Sequence, residues 1–570
     1  MSKAAKYFHK SLFSLLLLSL ASSLLGAKDT STCYSVQLAS IYNKNSIYLK
    51  IEDYPSECKL ISLANLKAIR CGCFEDKKEA QNSLKQRRKK YHGSILVRTY
   101  KSRFIEAKTI LTQEKKSFKE KDIEDTQEEA QDLEAEEELL QQSPNWIQSL
   151  LTNEDISIQG NLNLTTQTYP SRPDDKHKYN LTGSGEVEFS YTKDDVSFVA
   201  KVYAQGDSYD MQGSSDKNHR SFLRLDELYI KQDFEDDQIQ LGKSIQFWGS
   251  LEARNITDVF NPDDMRSDIF NSQKLGVWNG SYTHYTETGE LSIIIKLHEP
   301  DIKMAGLPYV YYFFPAQLPD TQGGTLPLSY DDKLELELAQ RPSFYIKYTG
   351  STDSQYALDY AIIFENGYDS QRYYTYTPNS STSPTSISVQ QNAYAVNKLM
   401  TYNTLVLGST LLKFEGVYTD IISTDDILLA TGKKKDLSDY YHLGLGLEHT
   451  LTQVYEGSDL GLIAEYYKYG TLEDGDVFTD LDLFQVFQND LFIGARYSFN
   501  QGNDASIIAG VIYDLDYDEE VYSFVYESRI YESFKLKFDY YYINPSDDTL
   551  TAYNLMGKHQ RLSLKAGYYF

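Results

Sequence analysis

Beyond residue 27 the sequence has no run of about 18 apolar residues, so it has no helix able to span a membrane. Tryptophan is scarce: there are 3, beside 48 tyrosines and 26 phenylalanines. Aromatic content of that kind suits strands with one apolar and one wet face better than greasy helices. Basic residues are outnumbered, 56 Lys and Arg against 82 Asp and Glu, for a formal charge of −26. Phosphate backbones demand the opposite sign, so DNA and RNA are excluded as partners. Only 9 histidines occur, and no Ser, His and Asp or Asn set falls in a recognisable motif, so the chain does not read as an enzyme. One membrane architecture survives these absences. A transmembrane β-barrel alternates lipid-facing and lumen-facing residues, which keeps mean hydropathy low, here −0.48.

At 570 residues the chain should hold more than one unit. Lys3, Lys6 and Lys10 precede an apolar core over 11–25, which reads as a secretory signal peptide, 1–27, cut after Ala27. Export permits disulfides, and the 4 cysteines, Cys33, Cys58, Cys71 and Cys73, lie in one short stretch. Two residues apart on a strand, Cys71 and Cys73 share a face, so each is expected to bridge to Cys33 or Cys58, with the connectivity open. Residues 28–103 carry 16 basic and 7 acidic residues, whereas 104–147 carry 5 basic and 13 acidic. The charge reversal marks a boundary between a small basic domain, 28–103, and an acidic helical linker, 104–153. Within the domain, 34–38, 68–74 and 94–100 read as strands, and 76–91 as a basic helix with Ala80, Leu84 and Tyr91 inward.

The run Tyr-Ser-Val-Gln-Leu-Ala-Ser at 34–40, then Arg70-Cys-Gly-Cys-Phe-Glu-Asp-Lys-Lys-Glu-Ala80 ending a strand and opening a helix, resembles the two half-repeats of a SPOR (sporulation-related) domain. The resemblance implies a small α/β fold in the periplasm that binds peptidoglycan glycan strands across its sheet. Carried over by strand position, Gln37, Arg70 and Gly72 are the implied glycan-contacting residues.

From residue 154 onward the pattern has a period of two. Leu562, Leu564, Ala566, Tyr568 and Phe570 share one face, and Arg561, Ser563, Lys565 and Gly567 the other. Since charge cannot face lipid, the first face is outward. Short turns near 193–195, 235–237, 287–289, 351–354, 409, 454–458, 501–504 and 532 alternate with mostly long polar loops. That rhythm predicts a mainly β fold: an antiparallel transmembrane barrel of 18 strands, alternatively 16, over 154–570. The terminal Tyr568 and Phe570 resemble the C-terminal signal read by the barrel assembly machinery of bacterial outer membranes. The runs 226–234, 241–249 and 255–263 are similar to a Leu-Gly-x-Gln-x-x-x-Trp-Gly, then Asn-x-x-x-Pro-x-Asp, pattern of porin-superfamily barrels.

Inward Arg224, Lys243 and Lys347 are the expected pore-lining cations, set against acidic loops. Asp258, Asp263 and Asp264, and separately Asp514, Asp516 and Asp518, are candidate oxygen ligands for a divalent cation, although the same runs also read as solvated loops. The apolar loop 299–338 reads either as a lumen constriction or as a membrane-edge belt or homo-oligomer contact. Together these features lead to the expectation of an outer-membrane channel for small-molecule solutes, embedded in outer-membrane lipid and tied to peptidoglycan. The alternative is a plugged barrel that only tethers membrane to wall.

Overall fold

The computed structural model describes most of residues 32–100 and most of 155–570, apart from stretches within loops. The expected signal peptide and acidic linker lie outside the described residues. The chain divides into two units, 1–143 and 144–570, and each is taken by itself.

In the first unit, β1 (Thr32–Tyr42), β2 (Lys59–Leu63), β3 (Leu66–Phe74), α1 (Lys77–Arg88) and β4 (Ile95–Tyr100) follow in order. The sheet runs β2-β3-β1-β4 with every neighbour antiparallel, the strand order of a split βαβ arrangement. Val36, Leu38, Ile69 and Cys71 form its buried core, with Leu84 of α1 packed against them. Cys58 bridges Cys71, Cys73 is also disulfide-bonded, and the described residues include no free cysteine. Gly72 lies at φ +72°, where an added Cβ would run into the Phe74 ring, so only glycine fits.

The second unit is a closed antiparallel barrel of 18 strands, running from Ile156–Thr168 to His559–Tyr569. Period-two alternation is what closes it. Leu162 and Leu164, each 56% exposed, face outward beside Asn163, which is 8% exposed and faces in. The last strand pairs with the first from Leu562↔Thr168 to Tyr569↔Asn161. Phe570 completes the seam: its carbonyl accepts from Gly160 N at 2.9 Å and its N–H donates to Gly160 O at 3.1 Å. Closure leaves no unpaired edge in hydrocarbon, where each orphaned backbone group costs several kcal/mol. Tyr568 and Phe570 are outward, 39% and 50% exposed, with their rings stacked. Ile156 and Phe570 lie at the end that carries the short turns.

The long connections differ from one another. Described parts of 297–342, Gln317–Pro319 and Thr325–Leu336, build a separate four-stranded sheet with Tyr373–Pro378 and Ile387–Ala393 of the next long loop. Thr325–Leu336 and Ile387–Ala393 pair in parallel. Tyr309 is buried against Tyr169 and Tyr209, with the Arg220 guanidinium 3.6 Å above its ring. Apart from Tyr309, the apolar run 307–314 expected to form a constriction or belt lies outside the described residues, and the described segment that crosses the lumen is 245–276.

Candidate functional site: a loop folded through the barrel

The connection 245–276 leaves the strand Asp237–Ser244 and returns to the adjacent strand Val277–Tyr285. Between them it reaches the far wall. Trp248, Leu251, Ile256 and Phe260 are buried against inward side chains that include Tyr345, Met400, Ile463 and Phe492. Leu251 seats over Gly444 and Gly446: a Cβ on Gly444 would run into it, and one on Gly446 would come within 2.8 Å. Side-chain-free wall positions are what let the loop approach so closely.

A segment with only a two-residue ladder of its own must find other acceptors for its N–H groups. Two wall carboxylates supply them for five of these groups. Glu415 Oε1 accepts from Ser250 N at 2.5 Å and Leu251 N at 3.1 Å, and its Oε2 from Thr257 N at 3.2 Å and Thr257 Oγ1 at 3.1 Å. Glu465 accepts from Glu252 N at 2.6 Å, Ala253 N at 2.8 Å and Tyr467 Oη at 2.7 Å. Glu415 and Glu465 are 0% and 1% exposed, so these are charge-assisted bonds shielded from water, the stronger kind. Beside them, Glu252 pairs with Arg496, whose other nitrogen lies 3.4 Å from Glu448, itself 2.9 Å from Lys413. The second half of the loop is fixed on another wall. Phe270 stacks on Tyr541 with centroids 4.3 Å apart, and Asp268 pairs with Arg561, which also holds Asp539 at 2.5 Å.

Of the expected pore cations, Arg224 faces in, bound to Asp226 and, at 2.5 Å, to Asp264 of the loop. Lys347 also faces in, across from Ser292. Lys243 does not: it pairs with Leu228 and Trp278, on the same face as outward Ile239 and Leu241. Its ammonium instead donates to the Leu225 carbonyl at 2.6 Å. The cause is a bulge between Lys201 and Val202 and the opposing Asp226, which takes Leu225 O out of the regular ladder.

The acidic runs are used for pairing. Asp258 and Asp263 lie 3.3 Å and 3.5 Å from Lys274, and Asp264 lies 2.6 Å from Arg266. Burial pushes the Asp258 carboxyl above the ordinary carboxylate range, against the pull of Lys274. Asp514 accepts from Gln488 and from Asp516 N, Asp516 from Asn489, and Asp518 from Tyr513 Oη. Among the described residues no group of three or more His, Cys, Asp or Glu is placed to hold a metal ion. In the first unit, Arg70 Nε donates to Gln37 Oε1 at 2.9 Å, and the two are 7% and 8% exposed. Those side chains are engaged with each other rather than offered to a glycan.

Sequence reasoning missed Glu415 and Glu465. The available signal was an acid at an inward position with glycines opposite it, as register pairs Glu415 with Gly444 and Glu465 with Gly446.

The second unit is thus a closed barrel of 18 strands with one loop folded through its lumen. No family model matches the chain, and no curated protein does. Among solved structures it is similar to Pseudomonas aeruginosa OccK11 (OpdR), at 8% identity and TM-score 0.41, covering 73% of this chain and 96% of that one. A BenF-like porin from Pseudomonas fluorescens Pf-5 matches at 9% and 0.42, covering 73% and 99%. Acinetobacter baumannii OccAB4 matches at 11% and 0.42, covering 74% and 99%.

Proposed function

We propose that the chain is an outer-membrane channel for small polar solutes, narrowed by the loop 245–276. The observation that carries this reading is the pair of buried glutamates, Glu415 and Glu465, holding the loop backbone across the lumen. A barrel with an apolar outer face sits in lipid, and a fixed constriction inside it selects solutes by size and polarity. Conductance of the purified full chain in planar bilayers tests the reading: discrete steps in KCl support it, and silence overturns it.

The N-terminal unit is read as a SPOR-like anchor to peptidoglycan. The sequence runs at 34–40 and 70–80, the strand order and the basic charge of 28–103 support that reading. With Gln37 and Arg70 engaged with each other, the contact would come from basic side chains outside that pair. Co-sedimentation of the full chain with purified peptidoglycan, retained at moderate salt, is the expected result. Loss at about 0.3 M salt, where the screening length falls to several Å, would mean simple charge attraction. A second reading, a plugged barrel serving only as a tether, is favoured by the way the loop is pinned to two walls at once. The same bilayer experiment separates the two.

A further inference from the structure

On the wall that roots the lumen loop, beside the constriction, lies a recess. Its volume is about 210 Å³, and it is walled by inward residues of five neighbouring strands and by the first two loop residues, Ile245 and Gln246. It is smaller than the ~300–1,000 Å³ of sites that take drug-sized ligands, which suits a single ring.

The chemistry of the lining is mostly neutral and polar. Gln240, Gln246 and Ser281 line the recess, and their side chains take no part in the hydrogen bonds recorded among the described residues. Tyr229 and Tyr285 add ring faces with polar tips. The charged members are Glu227, Glu290 and Lys347. Each carboxylate already has one protein donor: Glu227 accepts from Ile245 N at 3.1 Å, and Glu290 from Thr349 Oγ1 at 3.0 Å. Lys347 sits diagonally from Glu290 on the neighbouring strand.

Two carboxylates around one ammonium repel an anion. The ammonium, together with the existing donors to both acids, removes much of the attraction for a cation. What remains is a ring of groups that both donate and accept. A hydroxyl does the same, with one donor and two lone pairs, so a molecule bearing many hydroxyls matches this lining at every side. We propose that the recess is a binding subsite for a neutral polyhydroxylated solute of about one ring, a monosaccharide or cyclic polyol, on the short-turn side of the constriction. The proposal rests on the channel reading and names the solute class for it.

The test uses detergent-purified full chain. Titration calorimetry with glucose as the neutral probe, and with lysine and glutamate as charged probes of similar size, should give saturable binding for glucose alone. Replacing both amides, Gln240→Ala with Gln246→Ala, should raise the glucose half-saturation about tenfold, as expected for two lost hydrogen bonds. Heat-modifiable migration establishes that the variant has folded. If it has not, Gln246→Ala alone, on the loop, serves with a smaller expected shift. Saturable binding of lysine or glutamate without glucose, or no binding of any probe, would overturn the proposal. KCl conductance separates the two levels. Conductance without glucose binding leaves the channel standing and removes the subsite, whereas glucose binding without conductance keeps the site and removes the channel.

Discussion

The loop 245–276 and the loop 297–342 are both long, both partly apolar, and joined to the same barrel, yet they bury themselves in opposite ways. In its described parts, the second pairs its strands with those of its neighbour. The first has a single two-residue ladder of its own, Asp263–Asp264 with Gln273–Lys274, and relies on Glu415 and Glu465 for five N–H groups between Ser250 and Thr257. Where backbone hydrogen bonds are settled decides which loop can lie inside the lumen. The two still touch, since Met265 N donates to Lys303 O at 2.8 Å, but the loop held by wall carboxylates is the one tied across the barrel and able to shape its passage.

The widest test removes the wall on which both loops depend. Deleting Phe570 takes away both backbone bonds to Gly160, and most of the protein should then fail to reach the heat-modifiable closed form. Normal migration of the truncated chain would show that the seam closes without them.

Next in size is Glu415→Ala combined with Glu465→Ala. Five loop N–H groups lose their acceptor, at about 1–3 kcal/mol for each one left unsatisfied. The loop should leave its seat, and single-channel conductance should rise several-fold with added noise. An unchanged conductance would mean that the apolar contacts of Trp248 and Phe260 hold the loop unaided.

Val389→Ala sharpens the contrast from the other side. Val389 is 0% exposed in the loop sheet, and losing its two methyls should cost that sheet about 1–2 kcal/mol. Proteolysis within 317–393 should quicken while conductance stays as it was, if the loop sheet is independent of the passage.

The smallest expected effect is in ion choice. A net charge of −26 should give a modest cation preference in reversal potentials across a KCl gradient, fading as salt rises. Anion preference would mean that inward bases dominate. Lys537 and Lys565, directly paired across strands, are the first residues to examine in that case.

The barrel was legible because its code is simple: Leu562, Leu564 and Tyr568 alternate with Arg561, Ser563 and Lys565, and short turns alternate with long loops along the chain. The turns were legible for the same reason, since each falls where the alternation stops. The site was far less so. Apolar content singled out 299–338 but gave no sign of 245–276, whose partners are supplied from far along the chain. Glu415 meets Ser250 across 165 positions, a separation at which local pattern is silent. Lys243 misled because charge was taken as a sign of facing inward, although period two on its own strand sets it with outward Ile239 and Leu241. The bulge on the neighbouring strand, which supplies its acceptor, is what neither period two nor composition shows.

That bulge has a further meaning for the tolerance of the chain to length changes. Asp226 is the extra residue in its strand, and Arg224 and Glu227, three apart, both face the lumen across Tyr203 and Lys201. Excising Asp226 would leave every neighbouring side chain on its present face, so by alternation alone the edit looks silent. It would also return the Leu225 carbonyl to the ladder and leave the Lys243 ammonium in an apolar surrounding without its acceptor, a cost of several kcal/mol that no substitution on the lumen side would reveal.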